Sequence, residues 1–462
     1  MKAIPQWRLR AAFAQRLSDM YGREVPAYTT LVEVSREVND HVLRTTGADA
    51  ERFGSIGRVT AERHGAIRVG TPRELREVAR IFGALGMHPV GFYDLRAASA
   101  SAVPVVSTAF RPIEPDELAR NPFRMFTSML TPDDPRFFDA DLRARLEAFL
   151  AGRRLFSPEL LGLAEVAERD GELPEVDAQR FLDLAVGSFE LSTEPIDRVW
   201  YEELEKVSAV AADIGGVRST HVNHLTPRVL DIDDLYRRMS GRGIRMIDDI
   251  QGPPGWNGPD VLLRQTSFRA LSEPRVLREP DGSLTRGSLR VRFGEVEARG
   301  IALTPAGRAR YDALQEEIDE RAAGRPGADR AELAREVWER GFPATERGLV
   351  QHELAYFEYR PLAEGPLPAG ASLTELLDQG LIAAEPITYE DFLPRSAAGI
   401  FQSNLSEEGI RDDGQQEAHY DAEWLSVTLD RHVHDPFELY GRQQARSVEK
   451  LFRDAGRPTL TT

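Results

Sequence analysis

The sequence predicts an α+β protein built on a duplicated strand–helix–three-strand (βαβββ) unit that forms a cupped sheet, with helical segments added to it. Helical periodicity alternates along the chain with short runs of strand character. Two of the strand-rich stretches begin alike, at His64 and at His224, with the pattern H-x-x-x-R-V followed by a helix, a glycine and another strand. This shared order of elements favours duplication, and alternate residues of the strands would line the cup.

Local patterns predict the elements up to the end of the first unit. Residues 1–55 are expected to be helical, because WRLRAAFAQRLSDMYG carries apolar side chains three and four positions apart. The first βαβββ unit is assigned to residues 56–131, with HGAIRVGT as a strand, TPRELREVARIFGALG as a helix, and MHPVGFYDL and VPVVSTAF as further strands. Thr71 suits the N-cap of that helix and Pro72 its first turn.

The remaining chain divides into three predicted parts. Residues 132–216 return to helical periodicity and are predicted to be a helical insertion. The second unit is assigned to residues 217–304, with strand THVNHLTPRV, helix IDDLYRRMSGRG and strands IRMIDDI, VLLRQTSF and LRVRFGEVEARG. Residues 305–462 are predicted to be a C-terminal α/β extension. No low-complexity linker separates these parts, so we expect them to pack into one body.

Composition excludes several classes of protein. The chain of 462 residues is 41% hydrophobic and 29% charged, as expected for a globular protein with an ample core. No apolar run approaches the ~20 residues of a membrane helix, and the first residues carry no secretion signal, so we expect a cytoplasmic protein. With 75 acidic and 58 basic residues the net charge is −17, which argues against nucleic acid and membrane surfaces as partners.

The absence of cysteine restricts any metal site to histidine and carboxylate ligands. Of the nine histidines, His64 and His224 open the two repeated strands, so their side chains should converge. His221 competes with His224, but the register of the repeat selects His224. The strand RFGEVE supplies Glu295 and Glu297, which lie on one face at i and i+2. Two histidines and one carboxylate are the facial ligand set of non-haem Fe(II) oxygenases, although a histidine at a strand start is more often structural.

Arg68 is the next candidate functional residue. It shares a strand face with His64 and lies about 13 Å along the strand from it. A guanidinium reaching back over about half that distance would suit the far carboxylate of a short diacid that chelates the metal at its near end. A structural ion pair is the commoner fate of an arginine. Gln265 and Thr266 in VLLRQTSF could give polar contacts to the same ligand.

Two further patterns remain open. His432 and His434 could place two imidazoles on one face of a strand, but no third ligand lies in a recognisable frame. Residues 388–405 combine a turn with small residues whose backbone N–H groups could line a pocket, and tight packing without function explains them equally well. Patterns for nucleotide-binding loops and for nucleophilic serines are absent.

The sequence resembles the 2-oxoadipate dioxygenase/decarboxylases, also called D-2-hydroxyglutarate synthases, of the vicinal-oxygen-chelate superfamily. The resemblance covers most of the chain and is carried, in order, by ERHGAIRVGT (62–71), HVNHLTPRVLDID (221–233), LRQTSF (263–268), RFGEVEARGIALTPAGR (292–308) and FLPRSAAGIFQSNL (392–405). It implies repeated βαβββ units and an Fe(II) ion held by two histidines and one glutamate. The strand GEVEAR also resembles FEIIQR of the hydroxyphenylpyruvate dioxygenases, which selects Glu295 as the ligand over Glu297.

The same resemblance assigns the substrate-binding residues. The family's substrate-binding arginine falls on Arg68, and the loop around Arg395 and Ser396 is expected to line the substrate pocket. Relatives carry an apolar residue before this serine, so Arg395 is a departure that bears on the choice of substrate. The predicted partners are a small 2-oxo diacid and O₂.

We therefore expect an Fe(II) enzyme that oxidatively decarboxylates and hydroxylates 2-oxoadipate to 2-hydroxyglutarate and CO₂, as in lysine degradation. The alternatives are a metal-dependent isomerase or lyase of glyoxalase type and a non-catalytic diacid-binding protein. Consumption of O₂ separates the first function from the other two. Product formation without O₂ separates the lyase from the binding protein.

Overall fold

The computed structural model describes residues 2–46, 55–97, 102–289, 292–325, 327–363, 365–368, 370–393 and 415–454. The first elements are β1 (Ala3–Pro5), α1 (Gln6–Glu24), α2 (Pro26–Thr46) and α3 (Ile56–Ala61). The predicted helical character of the N-terminal segment is confirmed for its described residues. In α1 the apolar stripe that includes Leu9, Phe13 and Leu17 is buried, as its four-residue spacing predicts.

The next stretch contains a strand, a helix and three strands. Its elements are β2 (Arg63–Val69), α4 (Pro72–Gly83), β3 (His88–Asp94), β4 (Val105–Arg111), α5 (Pro115–Arg120) and β5 (Arg124–Leu130). Thr71 caps α4 by accepting the backbone N–H of Glu74, and Pro72 lies in the first turn, as predicted. All seven residues of β2 are buried, which suits a central strand covered on both faces.

Between residues 132 and 216 helices dominate, in agreement with the helical character predicted there. The elements are α6 (Ala140–Ala151), α7 (Pro158–Asp170), β6 (Glu172–Pro174), α8 (Glu175–Gly187), β7 (Ile196–Asp197), α9 (Arg198–Glu205) and α10 (Ala209–Gly215). Ser208 caps α10 through the backbone N–H of Ala211. All the residues of α10 from Val210 to Gly215 are buried, so the helix lies inside the protein.

The next part of the chain contains β8 (His224–Pro227), α11 (Ile232–Gly241), β9 (Leu263–Phe268), β10 (Glu273–Arg278), β11 (Leu284–Leu289) and β12 (Gly294–Arg299). The predicted strand IRMIDDI is wrong, because this segment forms only an isolated bridge between Met246 and Phe268. Two consecutive exposed aspartates, Asp248 and Asp249, interrupt its alternation.

The β10–β11 hairpin was not predicted. All residues of its strands except Leu277 are half-buried or exposed, and β10 carries three charged residues, so the strands give little hydrophobic contrast. The predicted single strand LRVRFGEVEARG is also wrong, because β11 ends at Leu289 and β12 begins at Gly294.

The C-terminal part mixes helices with one strand pair, as predicted for an α/β extension. Its elements are α12 (Pro305–Ala323), α13 (Arg330–Gly341), α14 (Glu346–Gln351), β13 (Phe357–Pro361), α15 (Leu373–Asp378), β14 (Ile382–Pro386), α16 (Ala422–Leu429) and α17 (Pro436–Asp454). The prediction of a protein that mixes helices and sheets is confirmed.

The sheet that positions the site has the strand order β3-β4-β5-β2-β8. Strand β2 runs parallel to β5 and antiparallel to β8. Strands β9 and β12 form an antiparallel pair beside β8, joined to it by the bridge between Arg228 and Glu297. The backbone N–H of Val229 donates to the carbonyl of Glu297 at 2.8 Å. Strands β2, β8 and β12 are therefore neighbours.

One hydrophobic core joins residues from all the predicted parts of the chain, among them Leu9, Ile67, Leu146, Leu225 and Phe392. A second core packs α12 and α13 against the C-terminal strands. The parts therefore pack into one body, while the boundaries predicted between them stay predictions. Within the described residues, no helix is both long and apolar enough to cross a membrane.

Candidate metal centre

His64 and His224 face each other from adjacent strands. His64 is the second residue of β2 and His224 the first of β8, and the register pairs His64 with Thr226 and Ala66 with His224. Because residues 64 and 66 point to the same face of β2, both imidazoles project from one side of the sheet. Their ring centroids are 5.5 Å apart, and both side chains are buried.

Glu295 on β12 completes the cluster. One of its carboxylate oxygens, Oε2, lies 3.5 Å from His64 Nε2, and the other, Oε1, lies 3.4 Å from His224 Nδ1. One ligand atom from each of the three residues lies within 4.8 Å of the other two. Among the residues that the structure describes, no other group of histidines and carboxylates meets this criterion. The three predicted ligands therefore come together in one buried cluster.

The cluster has the donor chemistry of a divalent metal site. His224 Nδ1 is buried and makes no hydrogen bond within the described structure, so its lone pair is not committed to a hydrogen-bond donor. Burial lowers the pKa of the His224 imidazole to about 4, with Glu295 opposing the shift, so the ring is neutral near pH 7 and has a lone pair to give. Two imidazoles and one carboxylate fit Fe(II) and leave further coordination positions open.

Glu297, the competing carboxylate in the sequence, has another role in this geometry. Its Oε2 lies 2.9 Å from His64 Nδ1, on the ring nitrogen that does not face Glu295. Arg299 donates two hydrogen bonds to Glu297, of 2.8 and 2.9 Å. Burial raises the pKa of the Glu297 carboxyl, but Arg299 and His64 outweigh it and lower the pKa to about 2. An ionised Glu297 favours the His64 tautomer that carries its proton on Nδ1, which leaves Nε2 for a metal.

Behind Glu297 lies a buried network of alternating charges that the sequence did not reveal. Arg124, which pairs with His64 in the register of β2 and β5, contacts Glu62 at 2.6 Å and Glu297 at 3.8 Å. Glu62 also accepts a hydrogen bond of 2.8 Å from Arg228, and Glu390 contacts Arg124. Buried ion pairs of this kind restrict the orientations of the side chains that they contact.

Aromatic rings close the other sides of the cluster. The Phe392 ring lies 5.0 Å from that of His64, and Phe293 lies 5.2 Å from His224. Two further rings extend this wall across the sheet. The Phe126 ring lies 5.0 Å from Phe392, and the Tyr93 ring lies 5.4 Å from Phe126. An apolar wall around a metal site limits the access of water.

Arg68 is buried and ion-paired. Its side chain lies on the same face of β2 as His64, and its Nη1 donates to Asp213 Oδ2 at 2.5 Å. The register of β2 and β5 places Ser128 beside Arg68, and the Ser128 hydroxyl lies 2.8 Å from that of Ser107 on β4. The structural ion pair considered for Arg68 is therefore present, within a row of polar side chains on the cup face.

The comparisons with known proteins agree with this geometry. A model of the family described as 2-oxoadipate dioxygenase/decarboxylase matches residues 13–404. The chain belongs to this family. A 2-oxoadipate dioxygenase/decarboxylase of Mycobacterium bovis is 56% identical over 95% of this chain and 97% of its own length. One of Pseudomonas putida is 39% identical over 96% of this chain and 95% of its own length.

A solved structure of the family has the same fold. The crystal structure of the hydroxyglutarate synthase from Pseudomonas putida, in complex with 2-oxoadipate, is similar to this chain with a TM-score of 0.83 and 36% identity. The match covers 99% of this chain and 100% of that one. The family membership recognised in the sequence is therefore confirmed, and the chain shares its mixed α/β fold with a solved member of the family.

The other predicted substrate residues have different outcomes. Gln265 is buried and pairs with Glu297 in the register of β9 and β12, so it points to the face that carries the carboxylates. Thr266 pairs with Val296 and points to the opposite face, which removes it from the site. Arg395 and Ser396 lie outside the described residues.

The remaining histidines are not in the cluster. His221 lies beside Asp213, with Nε2 3.4 Å from Oδ1, so the choice of His224 over it agrees with the geometry. The centroid of the His434 ring lies 4.7 Å from that of His432 and 5.9 Å from that of His88. The backbone of His434 forms an isolated β-bridge with Val90. Within the described residues these three rings do not form a metal-binding group.

Besides the charge network behind Glu297, the sequence analysis missed two further sets of residues in this region. Asp213 comes from the predicted helical insertion, where it is the only charged residue of the run VSAVAADIGGV, and a lone carboxylate in such a run could have been interpreted as a buried, paired charge. Ser107 and Ser128 lie at alternate positions of strands β4 and β5, so strand alternation could have placed them on the cup face.

Proposed function

We propose that the protein is an Fe(II)-dependent 2-oxoadipate dioxygenase/decarboxylase. In the proposed reaction, 2-oxoadipate and O₂ give 2-hydroxyglutarate and CO₂, which balances in atoms and in electrons without a further co-substrate. The buried cluster of His64, His224 and Glu295 is the observation that supports this most strongly. The cluster is part of a chain that belongs to the 2-oxoadipate dioxygenase/decarboxylase family.

His64, His224 and Glu295 are proposed to hold the iron. A non-haem Fe(II) ion bound by them supplies the activation of O₂ and the oxidising power for decarboxylation. Glu297 serves His64, because its carboxylate holds the ring by the nitrogen that does not face the cluster. The aromatic wall of Phe392, Phe126 and Tyr93 keeps water away from the reacting atoms.

The protein is proposed to bind the diacid at its far end through Arg68. A guanidinium can donate two parallel hydrogen bonds to a carboxylate, which fixes the orientation of the ligand as well as its position. Ser128, in register with Arg68, is placed to donate to the same carboxylate. Gln265 on β9 offers an amide on the face of the β9–β12 pair that carries Glu295 and Glu297. Arg395 and Ser396 are proposed to line the pocket, as the family resemblance implies.

We also propose that the region from β2 to β5 and the region from β8 to β12 are copies of one ancestral unit. The supporting observation is the order of elements around the site. In each region a strand that carries a histidine is followed by a helix. A later strand then runs parallel to that first strand: β5 runs parallel to β2, and β12 runs parallel to β8. A duplication would explain why the two metal-binding histidines lie at matching positions.

The proposed function is tested by measuring O₂ uptake of the Fe(II)-loaded protein with 2-oxo diacids of four to seven carbons. We expect 2-oxoadipate to support the fastest turnover and to give 2-hydroxyglutarate, identified by mass spectrometry. Zinc-loaded protein is the matched control, since Zn²⁺ has no redox chemistry. Product formation at the same rate without O₂ would instead identify a lyase, and binding without product a diacid-binding protein.

A further inference from the structure

We propose that Asp213 is a positioning residue for diacid recognition. It holds the guanidinium of Arg68 in the orientation that receives the far carboxylate of the substrate, and it thereby sets the preference for a diacid over a monocarboxylic 2-oxo acid. The proposal rests on the proposed function for the identity of the ligand and for the role of Arg68.

The first support is the contact itself. Asp213 Oδ2 accepts from Arg68 Nη1 at 2.5 Å, and only 5% of Arg68 and 5% of Asp213 are exposed to solvent. A buried arginine has few orientations in which its charge is compensated. The carboxylate of Asp213 therefore selects the orientation of the Arg68 guanidinium in the protein without a ligand.

The second support is that Asp213 is itself held in place. Asn223 donates to Asp213 Oδ2 at 2.9 Å, and His221 Nε2 lies 3.4 Å from Oδ1. Burial raises the pKa of the Asp213 carboxyl, but His221 and Arg68 outweigh it and keep the pKa below its usual value. Asp213 also lies on the buried helix α10, so its backbone is rigid. An ionised carboxylate on a rigid helix can act as a fixed reference for the arginine.

The third support is the space on the far side of Asp213. Asp213 and His221 line a cavity of about 520 Å³ that also contacts Tyr201 and Arg275. Without the charge of Asp213, the Arg68 side chain would lose the partner that fixes its orientation and could adopt other rotamers on the same face of β2. The ion pair then does more than compensate a charge, because it limits the rotamers that the Arg68 side chain adopts.

This arrangement affects only ligands that need Arg68. A 2-oxo diacid loses a directed, charge-assisted contact when the guanidinium turns away. A monocarboxylic 2-oxo acid of the same length has no far carboxylate, so its binding at the metal end should not change. The ratio of the two affinities therefore reports on the position of Arg68 and not on general stability.

The test compares Asp213→Asn with the wild type. Dissociation constants for 2-oxoadipate and for 2-oxohexanoate are measured by calorimetry on Fe(II)-loaded protein without O₂. We expect Asp213→Asn to weaken binding of the diacid by about tenfold or more while the affinity for the monoacid stays within about twofold. In an Arg68→Gln background, Asp213→Asn should have no further effect on the diacid, because the two residues act as one unit.

Asp134→Asn is the matched control, since Asp134 is also a fully buried aspartate that pairs with arginines, Arg96 and Arg136. It should lower the melting temperature and leave the ratio of the two affinities unchanged. Asp213→Glu keeps the charge but moves the carboxylate by one methylene, so it should also reduce the diacid preference, and it replaces Asp213→Asn if that variant does not fold.

Equal weakening of both acids by Asp213→Asn, or an unchanged ratio of affinities, would overturn the proposal. The proposed function fails separately, if the wild type consumes no O₂ with 2-oxoadipate. The binding constants are measured without turnover, so the two failures can be told apart.

Discussion

His64 lies between two carboxylates at opposite nitrogens of its ring, with Nε2 3.5 Å from Glu295 and Nδ1 2.9 Å from Glu297. Since the two glutamates are two residues apart on β12, strand alternation alone puts them on the same face. Their surroundings differ, because Glu295 also faces His224 whereas Glu297 is paired with Arg299. One carboxylate is therefore suited to bind a metal and the other to orient a ligand of that metal.

The ligand assignment predicts that His224→Ala abolishes activity and metal binding. One of the proposed donor nitrogens is removed, so we expect less than about a tenth of the wild-type iron content after dialysis, measured by atomic emission. His352→Ala is the matched control, because His352 is exposed and outside the cluster, and it should retain both iron and activity. Full iron occupancy in His224→Ala would contradict the assignment.

Glu297→Gln should weaken metal binding without abolishing it. Loss of a residue that orients a ligand typically costs about 10- to 100-fold in metal affinity, and Arg299 and Arg124 lose a buried partner, which costs about 3–5 kcal/mol of unfolding free energy. The metal affinity is measured by competition with a coloured chelator and the stability by urea unfolding.

Glu74→Gln separates these two effects of Glu297→Gln. Glu74 is a buried carboxylate with two hydrogen bonds from Arg153, of 2.7 and 2.9 Å, and it is outside the cluster. The Glu74→Gln variant should lose a similar amount of unfolding free energy and keep the metal affinity of the wild type. If Glu297→Gln binds metal as tightly as the wild type does, Glu297 does not orient His64.

Arg68→Lys tests the grip on the far carboxylate. Lysine keeps the positive charge but cannot donate the paired hydrogen bonds of a guanidinium. We expect kcat/KM for 2-oxoadipate to fall by about 10- to 100-fold, with kcat/KM for 2-oxohexanoate nearly unchanged. Arg153→Lys, at a buried arginine that donates two hydrogen bonds to Glu74, should affect both substrates equally. Equal kinetics of wild type and Arg68→Lys on the diacid would remove Arg68 from the site.

Removal of the metal should leave the fold intact. The three proposed ligands lie on strands held by sheet pairing and by the main hydrophobic core, so the metal is not needed to bring them together. We expect chelator-treated protein to keep its circular dichroism spectrum and to unfold cooperatively. Added metal should raise the melting temperature by an amount set by the metal concentration relative to its dissociation constant. Loss of the fold on chelation would indicate a structural metal.

The proposed reaction predicts where the oxygen atoms go. With ¹⁸O₂, the label should appear both in the new carboxylate and in the new hydroxyl of 2-hydroxyglutarate, and one CO₂ should be released for each O₂ consumed. Mass spectrometry of the product and manometry measure these quantities, with unlabelled O₂ in H₂¹⁸O as the control. A hydroxyl derived wholly from water would contradict the dioxygenase reaction.

The sequence by itself determined the family, the mixed fold class and the cluster of His64, His224 and Glu295. Local patterns carried this information: the repeated H-x-x-x-R-V, the strand alternation around Glu295, and motifs that the family retains. The cap of α4 by Thr71 was likewise readable, because an N-cap depends on residues only a few positions apart.

Only the tertiary structure decided how each of these residues is supported. Asp213 meets Arg68 across 145 positions of sequence, and Glu390 meets Arg124 across 266. No periodicity or local motif encodes such pairings, because they depend on how separate elements pack. The hairpin β10–β11 was missed for a related reason, since its half-buried or exposed strands lack the hydrophobic contrast that makes a strand visible in sequence. Short-range patterns therefore pointed to the proposed ligands, and long-range packing of charged side chains decided which of their atoms face one another.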